Sequence, residues 1–354
     1  MVSEEKLIER VRRQFPSSRV GEAGSFRAAR RSRDNEFGPR AGIGDDAAVL
    51  RPSRGSEWVV TTDAFLENVH FLRKVHPPKA VGYKALARAT SDLAAMGARP
   101  RYFFLTLALP DACAGAWLDD FLRGMARASR RFGLILAGGD TTKYPVVVTS
   151  LTVLGEVEKG KAILRSGAKP GDLLCVSGTL GESELGLRLV QSKLYKQKRW
   201  AGLLKKHLYP EPRLAVGEWL AARQYATSMI DTSDGLSTDL GHLCNASGVG
   251  VIVWEQKIPT VKIPPELQRP GAGCTWSPPN KGLDPLELAL NGGEDYELCF
   301  TVPKKLAARL PRELGGIPIT AIGEITRGKR AFSIDANGKS KLLLPGGWDP
   351  FRRR

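Results

Sequence analysis

Five short acidic segments, each set beside Gly, Thr or Ser, constrain this 354-residue chain more than any other feature. They read GIGDDAAVL at 42–50, TTDAFLENVHF at 61–71, SDLAAMG at 91–97, GGDTT at 138–142 and IDTSDGL at 230–236. The chain as a whole is basic, with 53 Lys and Arg against 37 Asp and Glu. Acids gathered in small-residue loops therefore need a local reason. Carboxylates that converge from distant segments repel one another and lose hydration, and they persist mainly where a hard cation neutralises them. Mg²⁺ prefers one or two carboxylates, waters and a substrate's phosphates to an all-protein cage. The pattern points to metal-assisted phosphate chemistry.

Length and composition set the outer bounds. At 354 residues the chain exceeds the usual single-domain size, and a 42% hydrophobic fraction is enough for real cores. The net charge of +16 is compatible with nucleic acid, an anionic membrane surface, polyanionic small substrates or a basic proteome. Part of the excess is local, in 188–206, in 27–40 and in the closing Arg352–Arg353–Arg354, and such runs read as solvated faces. The five cysteines are odd in number, widely spaced and contain no C-x-x-C pair, which argues against a disulfide framework and a structural zinc site. The start, MVSEEKLIERVRRQF, has acids where a signal peptide is basic and then apolar. No apolar run approaches the roughly 20 residues of a membrane span. The expectation is a cytoplasmic protein with no membrane partner.

Along the chain, residues 4–15 have the apolar spacing of a short amphipathic helix, followed by a Gly/Arg/Ser-rich loop at 17–41. AAVLRPSRGSEWVVTTDAF reads as a hairpin around a Ser-Arg-Gly turn, with Asp46 entering one strand and Asp63 leaving the next. KAVGYKALARATSDLAAMG is an alanine-rich helix carrying Asp92 towards its C-terminal end. YFFLTLALP is a buried strand, 114–132 an amphipathic helix, LILAGGDTT a strand and then a loop, and VVVTSLTVLGEV another strand. The polar stretch EVEKGKAILR at 156–165 marks a boundary. Beyond it, SMIDTSDGLSTDLGHLCNAS is a strand end, an acidic loop and a helix containing Asp239, while NGGEDYELCFTVP is a loop entering a strand. Residues 304–314 read as a helix, GIPITAIGEI supplies a late strand, and 255–288 has no clear reading. The whole is an α/β (α+β) chain of two related lobes.

Each acidic motif has a plainer alternative. Taken singly, Asp45–Asp46, Asp63 or Asp231-x-x-Asp234 is better read as a turn or helix-cap acid. The repetition of GD and TD pairs is what shifts the balance. Neither GGDTT nor GTLGESELGL is followed by Gly-Lys-Ser/Thr, which excludes a Walker A loop. The four histidines, His70, His76, His207 and His242, form no H-E-x-x-H and no nucleophile motif. Acyl transfer and zinc hydrolysis drop in rank accordingly. His70, close to Asp63, is placed to touch a substrate anion, and His242 reads as structural.

Together GIGDDAAVL, TTDAFLENVHF, KALARATSDLAAMGARP, GGDTT, LRSGAKPGDLLCVSGTLGESELGL, IDTSDGLSTDLGH and GGEDYELCFTVP resemble the thiamine-monophosphate kinases, in the expected order over roughly 40–351. That family belongs to the aminoimidazole ribonucleotide synthetase-like superfamily. The resemblance implies a two-lobed fold, with 1–155 an ATP/Mg-binding and dimerisation domain and 156–354 an α/β domain completing the nucleotide and substrate site. It implies Asp46, Thr61, Thr62, Asp63, Asp92, Asp140, Asp231 and Asp234 as magnesium ligands. Gly139, Asp140, Arg165 and Ser233 would contact ATP, and His70, Glu294 and Trp348 thiamine monophosphate. Asp46, Asp231, Asp234 and Arg165 would carry the transfer itself. The implied assembly is a homodimer joined through its N-terminal sheets. The implied reaction is direct in-line phosphorylation of thiamine monophosphate to thiamine diphosphate, the last step of thiamine diphosphate biosynthesis.

Rival readings are weaker. A selenophosphate synthetase would need a reactive Cys or selenocysteine in an early Gly-rich loop, and no cysteine precedes Cys113. The hydrogenase-maturation sibling ends in a catalytic Cys, whereas this chain ends in three arginines. Aminoimidazole ribonucleotide synthetase fits GGEDYEL and TTD-x₆-HF less well. A nucleic-acid-binding protein is motivated by the +16 charge and the basic 188–206 run, without a recognisable binding motif.

Overall fold

The computed structural model describes residues 4–15, 39, 47–269 and 282–351. Asp45, Asp46, most of the Arg-rich 17–41 stretch, part of the 255–288 segment, Cys274 and the final three arginines lie outside the described residues. The chain divides into two units, 1–93 with 99–160, and 94–98 with 161–354.

The first unit contains α1 (Glu4–Gln14), β1 (Ser56–Leu66), α2 (Pro78–Ala95), β2 (Arg99–Leu109), α3 (Ala116–Phe132), β3 (Ile135–Lys143) and β4 (Val148–Glu158). The last two residues of α2 count with the second unit. Among the described residues its strands form a four-stranded sheet in the order β1-β4-β2-β3. β1 and β2 flank β4 antiparallel, while β2 and β3 run parallel with α3 as their crossover. Consecutive strands that pair in parallel need a long crossover connection, usually a helix as here.

Burial follows the two-residue period of β1. Val59, Thr61, Asp63 and Phe65 turn towards the core face, while Val60, Thr62 and Ala64 are exposed. Buried Leu86 and Leu93 of α2, Leu118, Phe121, Leu122 and Met125 of α3, and Phe103 and Leu107 of β2 contribute to the unit's core. Each such side chain contributes roughly 1.5–3 kcal/mol on burial. α2 is buried on almost every side because small residues let α3 approach closely. A Cβ at Gly82 would overlap the Phe121 carbonyl oxygen, and one at Gly124 the Lys79 carbonyl oxygen.

The expected hairpin is not present. Residues 47–55 hold only an isolated bridge at Val49, and β1 instead pairs along its whole length with β4. A distant partner strand satisfies more ladder hydrogen bonds than a short local arm broken by Pro52. GGDTT is also not a loop, since β3 continues through it to Lys143.

The second unit contains β5 (Leu173–Ser177), α4 (Glu182–Gln191), α5 (Lys205–Leu208), α6 (Leu214–Arg223), β6 (Ser228–Asp231), α7 (Leu236–Ser247) and β7 (Gly250–Trp254). It continues with α8 (Pro265–Gln268), α9 (Pro285–Asn291), β8 (Leu298–Val302), α10 (Lys304–Ala307), β9 (Glu313–Leu314), β10 (Ile317–Thr326), β11 (Ala331–Ile334) and β12 (Ser340–Leu342). The sheet order is β12-β11-β7-β10-β5-β8-β6, with β9 attached to β10. The helix expected over 304–314 shrinks to α10, because Pro311 interrupts it and Glu313–Leu314 joins the sheet as β9.

Alternate residues of the central strands feed two cores. Leu174 and Val176 of β5 and Cys299 of β8 pack with Leu240 and Leu243 of α7. Cys175, Leu298, Phe300 and Val302 pack with Val216 and Leu220 of α6. A sheet covered on both faces reads as an unbroken apolar run rather than an alternating one, and β8 is buried at every position. The fold is therefore mixed α/β. Cys113, Cys175, Cys244 and Cys299 are free and buried. Burial pushes the Cys175 thiol up to about 12 and that of Cys244 to about 11, which removes both as nucleophiles.

Candidate active site

In the first unit, β1 and α2 bring four of the polar side chains together. The Thr61 hydroxyl donates to Asp92 Oδ2 at 2.5 Å. Two residues along β1, Asp63 accepts a bidentate pair from Arg88, at 2.6 Å from Nε and 3.0 Å from Nη2. Spacing explains the match: residues two apart share a strand face, and residues four apart share a helix face. Arg88 also lies over the Phe65 ring. The sequence reading missed Arg88, whose four-residue separation from Asp92 was the available clue.

Thr62 and Asp140 are not part of this group. Thr62 accepts a hydrogen bond from the Thr152 hydroxyl at 3.2 Å on the exposed face of the sheet. Asp140 is paired with Thr106, Thr106 with Ser150 and Ser150 with Ala64, so it shares the face of Ala64 and Thr62. Its carboxylate accepts the Thr141 amide at 2.9 Å. Gly139, opposite Leu105, lies beside it in β3. His70 follows β1, where its Nδ1 accepts the Leu66 amide at 3.0 Å and its ring stacks on Phe65. Accepting at Nδ1 assigns the proton of the neutral imidazole to Nε2.

In the second unit the site is built mainly from backbone hydrogen bonds. β6 ends at the buried Asp231, and the chain turns through Thr232–Gly235 into α7. The Thr232 amide donates to the Glu297 carbonyl, the Tyr296 amide to the Thr232 carbonyl at 2.9 Å, and the Glu294 amide to the Ser233 carbonyl at 2.8 Å. The C-terminal strap is fastened to the same turn. The Trp348 amide donates to the Asp234 carbonyl at 2.9 Å, and the Gly347 amide to the Thr238 hydroxyl. Ser233, Asp234, Glu294 and Trp348 therefore converge from three distant segments.

Asp239, in the first turn of α7, holds the Asp234 and Gly235 amides at 3.1 and 3.0 Å. Burial, together with the nearby Asp231 and Asp234 charges, pushes its carboxyl well above the usual range. This is the electrostatic mark of acids crowded together. Arg165 is exposed on the segment leading to β5, where its carbonyl accepts the Ser247 hydroxyl at 3.0 Å.

The structure adds buried groups that the sequence reading did not single out. Asp295 accepts the Gly181 and Ser183 amides at 2.5 and 2.9 Å. Glu297 receives the Lys206 ammonium at 2.5 Å, the Ser177 hydroxyl at 2.6 Å and Arg213 Nε at 2.6 Å. Burial would raise the Glu297 carboxyl, but the two cations outweigh it and hold it below its usual value. His207 is buried between Ser183 and Glu294, with Nδ1 at 3.4 and 3.6 Å from them. A cavity of about 280 Å³ opens beside Lys206 and Arg213, lined also by Glu182, Tyr209 and Glu211. Lys206 thus corrects the reading of 188–206 as wholly solvated. Arg188 of the same run is paired with Glu184, and Arg199 lies over Trp200.

Among the described residues, no three His, Cys, Asp or Glu side chains close on one point to hold a metal ion. The donors present are nonetheless carboxylates and hydroxyls, the ligands of a hard cation.

The chain is similar to known proteins along most of its length. Residues 44–157 match the AIR synthase related protein N-terminal domain, and 169–335 the corresponding C-terminal domain. The thiamine-monophosphate kinase of Escherichia coli (strain K12) is 38% identical over 325 residues, covering 91% of this chain and 95% of that protein. This chain belongs to the thiamine-monophosphate kinase family. The crystal structure of thiamine-monophosphate kinase from Stenotrophomonas maltophilia K279a is similar at a TM-score of 0.75 and 33% identity, covering 96% of this chain and 98% of that one. A second kinase structure, AaThiL complexed with AMPPCP and TMP, is similar at a TM-score of 0.71 and 34% identity, covering 87% and 92%.

Proposed function

We propose that this chain transfers the γ-phosphoryl group of ATP directly to the phosphate of thiamine monophosphate, giving thiamine diphosphate and ADP as the last step of thiamine diphosphate biosynthesis. The observation that carries this reading is the joining of Ser233, Asp234, Glu294 and Trp348 by main-chain hydrogen bonds. One family member is known in complex with AMPPCP and TMP, an ATP analogue and the acceptor.

The acceptor oxygen is already ionised near neutral pH, so no side chain need remove a proton from it. What the protein must supply is alignment and relief of repulsion between two polyanions. Ser233, Gly139, Asp140 and Arg165 would hold ATP, with the planar Arg165 fork suited to phosphate oxygens. His70, with its proton on Nε2, would donate to the acceptor's phosphate. Glu294 would attract the cationic thiazolium, and Trp348, 38% exposed, presents a ring on which the substrate can stack.

The all-oxygen donor set fits Mg²⁺. In the first unit Asp46, Thr61, Thr62, Asp63, Asp92 and Asp140 would serve as ligands, and in the second Asp231 and Asp234. When bound, the ions would neutralise charge on the phosphates and template in-line transfer. The N-terminal domain expected over 1–155 would then bind ATP and Mg²⁺ and dimerise, and the C-terminal domain expected over 156–354 would complete the substrate site. Val60, 58% exposed on a sheet face shared with Thr62 and Ala64, supports pairing of two N-terminal sheets in a homodimer.

The test is incubation with ATP, Mg²⁺ and thiamine monophosphate, followed by chromatography. Equal amounts of thiamine diphosphate and ADP, both lost with EDTA, are expected. ADP with inorganic phosphate and no thiamine diphosphate would instead assign the chain to a sibling activity.

A further inference from the structure

The segment carrying Glu294 is held in a conformation it would not adopt alone. Glu294 and Tyr296, neither of them glycine, have φ of 65° and 51°. Left-handed backbone at bulky residues is unfavourable and survives only where the surroundings over-determine it. Between these two residues lies Asp295, 1% exposed, whose carboxylate is taken up entirely by main-chain donors of another segment. Its oxygens accept the Gly181 and Ser183 amides at the start of α4. That helix has no side-chain cap of its own, since Gly181 occupies the N-cap position. Asp295 thus supplies from a distance the acceptor that Ser, Thr or Asp would supply locally.

We propose that Asp295 is a positioning residue for the acceptor side of the active site, anchoring the left-handed turn that aims Glu294 to the first-turn amides of α4. The inference rests on the reading that Glu294 contacts thiamine monophosphate. The neighbouring hydrogen bonds, from the Glu294 amide to Ser233 and the Tyr296 amide to Thr232, set where the turn lies. The Asp295 anchor sets which way it faces.

The anchor depends on ionisation. Two amide donors need two acceptor oxygens, and a protonated carboxyl turns one of them into a donor. The charged groups that act on Asp295 are Lys206 of α5 and Glu297 on its own strand approach. Arg213 before α6 pairs with Glu297, His207 lies against Ser183 and Glu294, and Glu182 of α4 stands in sequence between the two anchored amides. Burial pushes the carboxyl up to about 7, with Glu297 adding to the shift while Lys206 and the two amides oppose it. The folded-state value lies above the ordinary one, so the ionised form that accepts both amides predominates above pH 7 and gives way to the protonated form as pH falls through it.

The experiment compares Glu294→Gln and Asp295→Asn in the full chain with wild type, measuring kcat and KM for each substrate from pH 6 to 8.5. The expected result is a KM for thiamine monophosphate raised about tenfold or more in both variants, as for a displaced substrate contact. The KM for ATP should hold, and the step in KM near pH 7 should vanish in Asp295→Asn. A merely structural Asp295 would lower kcat through the active fraction and leave both KM values unchanged, which overturns the proposal. An effect of Glu294→Gln without one of Asp295→Asn overturns the proposal and leaves the reading of Glu294 standing. No effect of Glu294→Gln removes that reading, and the proposal with it. If Asp295→Asn does not fold, hydrogen exchange of the wild-type 178–185 segment decides. Protection of the Gly181 and Ser183 amides comparable to that of the buried turns of α4 supports the anchor, and exchange as fast as in an exposed loop overturns it.

Discussion

Asp231 illustrates how much one residue is asked to do. It closes β6, is 3% exposed, and lies near Asp234 and the raised Asp239 carboxyl. Three acids crowded in one unit are an electrostatic cost unless a cation or substrate-bound metal offsets it. Asp231→Asn removes one negative charge at nearly constant shape, so the fold should persist while turnover is lost. We expect kcat to fall at least about 10²-fold, the scale seen when a charge-stabilising group is removed. Steady-state kinetics with circular dichroism as the folding control checks this, and near-normal kcat would contradict the metal assignment. At this scale the sequence was most legible, because Asp92, Asp231, Asp234 and Glu294 stand in motifs of distinctive composition. Arg88 was not, since a lone arginine in an alanine-rich helix looks like any solvated residue until its partner Asp63 is located.

At the scale of elements, the segment 294–297 joins two regions of the second unit. One end is hydrogen-bonded to the turn after β6, and the other delivers Glu297 to Lys206 and Arg213, whose side chains are 12% and 14% exposed. Removing one partner of a buried pair leaves the others charged and unsatisfied, which is worse than never having built the pair. Glu297→Ala should therefore destabilise the chain by about 3–5 kcal/mol, since both cations lose their counter-charge. Urea unfolding checks this: the midpoint should drop with little change in slope, because the surface exposed on unfolding is nearly the same. The basic run read as a solvated face contains the key to this element. Charge density along a sequence shows how many cations a segment carries, but not which one turns inward to meet a buried acid.

The whole molecule has no described helix long and apolar enough to cross a membrane. In the first unit α2 and α3 contribute the core beside one face of the sheet, and on the opposite face Val60, Thr62 and Ala64 are exposed. An exposed face on a half-covered sheet invites a second copy, since a two-fold interface lets one surface serve both partners. Analytical ultracentrifugation should find a dimer, and Val60→Glu should shift it towards monomer by placing a charge at the centre of the contact. A Val60→Glu protein that remains fully dimeric would move the interface elsewhere. His70 and Thr62 stand at and near this sheet, so loss of the dimer should lower activity together with association.

The amino-acid sequence by itself determined the order of the motifs, the mixed α/β class and the residue types available for phosphate chemistry. Those properties depend on local composition and on periods of two and about 3.6 residues, which neighbours in the chain carry between them. Tertiary structure alone decided that β1 pairs with β4 instead of folding back as a hairpin, that GGDTT continues a strand, and that Asp140 shares a face with Thr62 and not with Asp63. It also decided that Asp295 caps a helix more than a hundred residues away, and that Lys206 leaves its basic run to meet Glu297. Each of these is a choice among distant partners. The free energy that settles it comes from burial and hydrogen bonds formed only after the chain has closed.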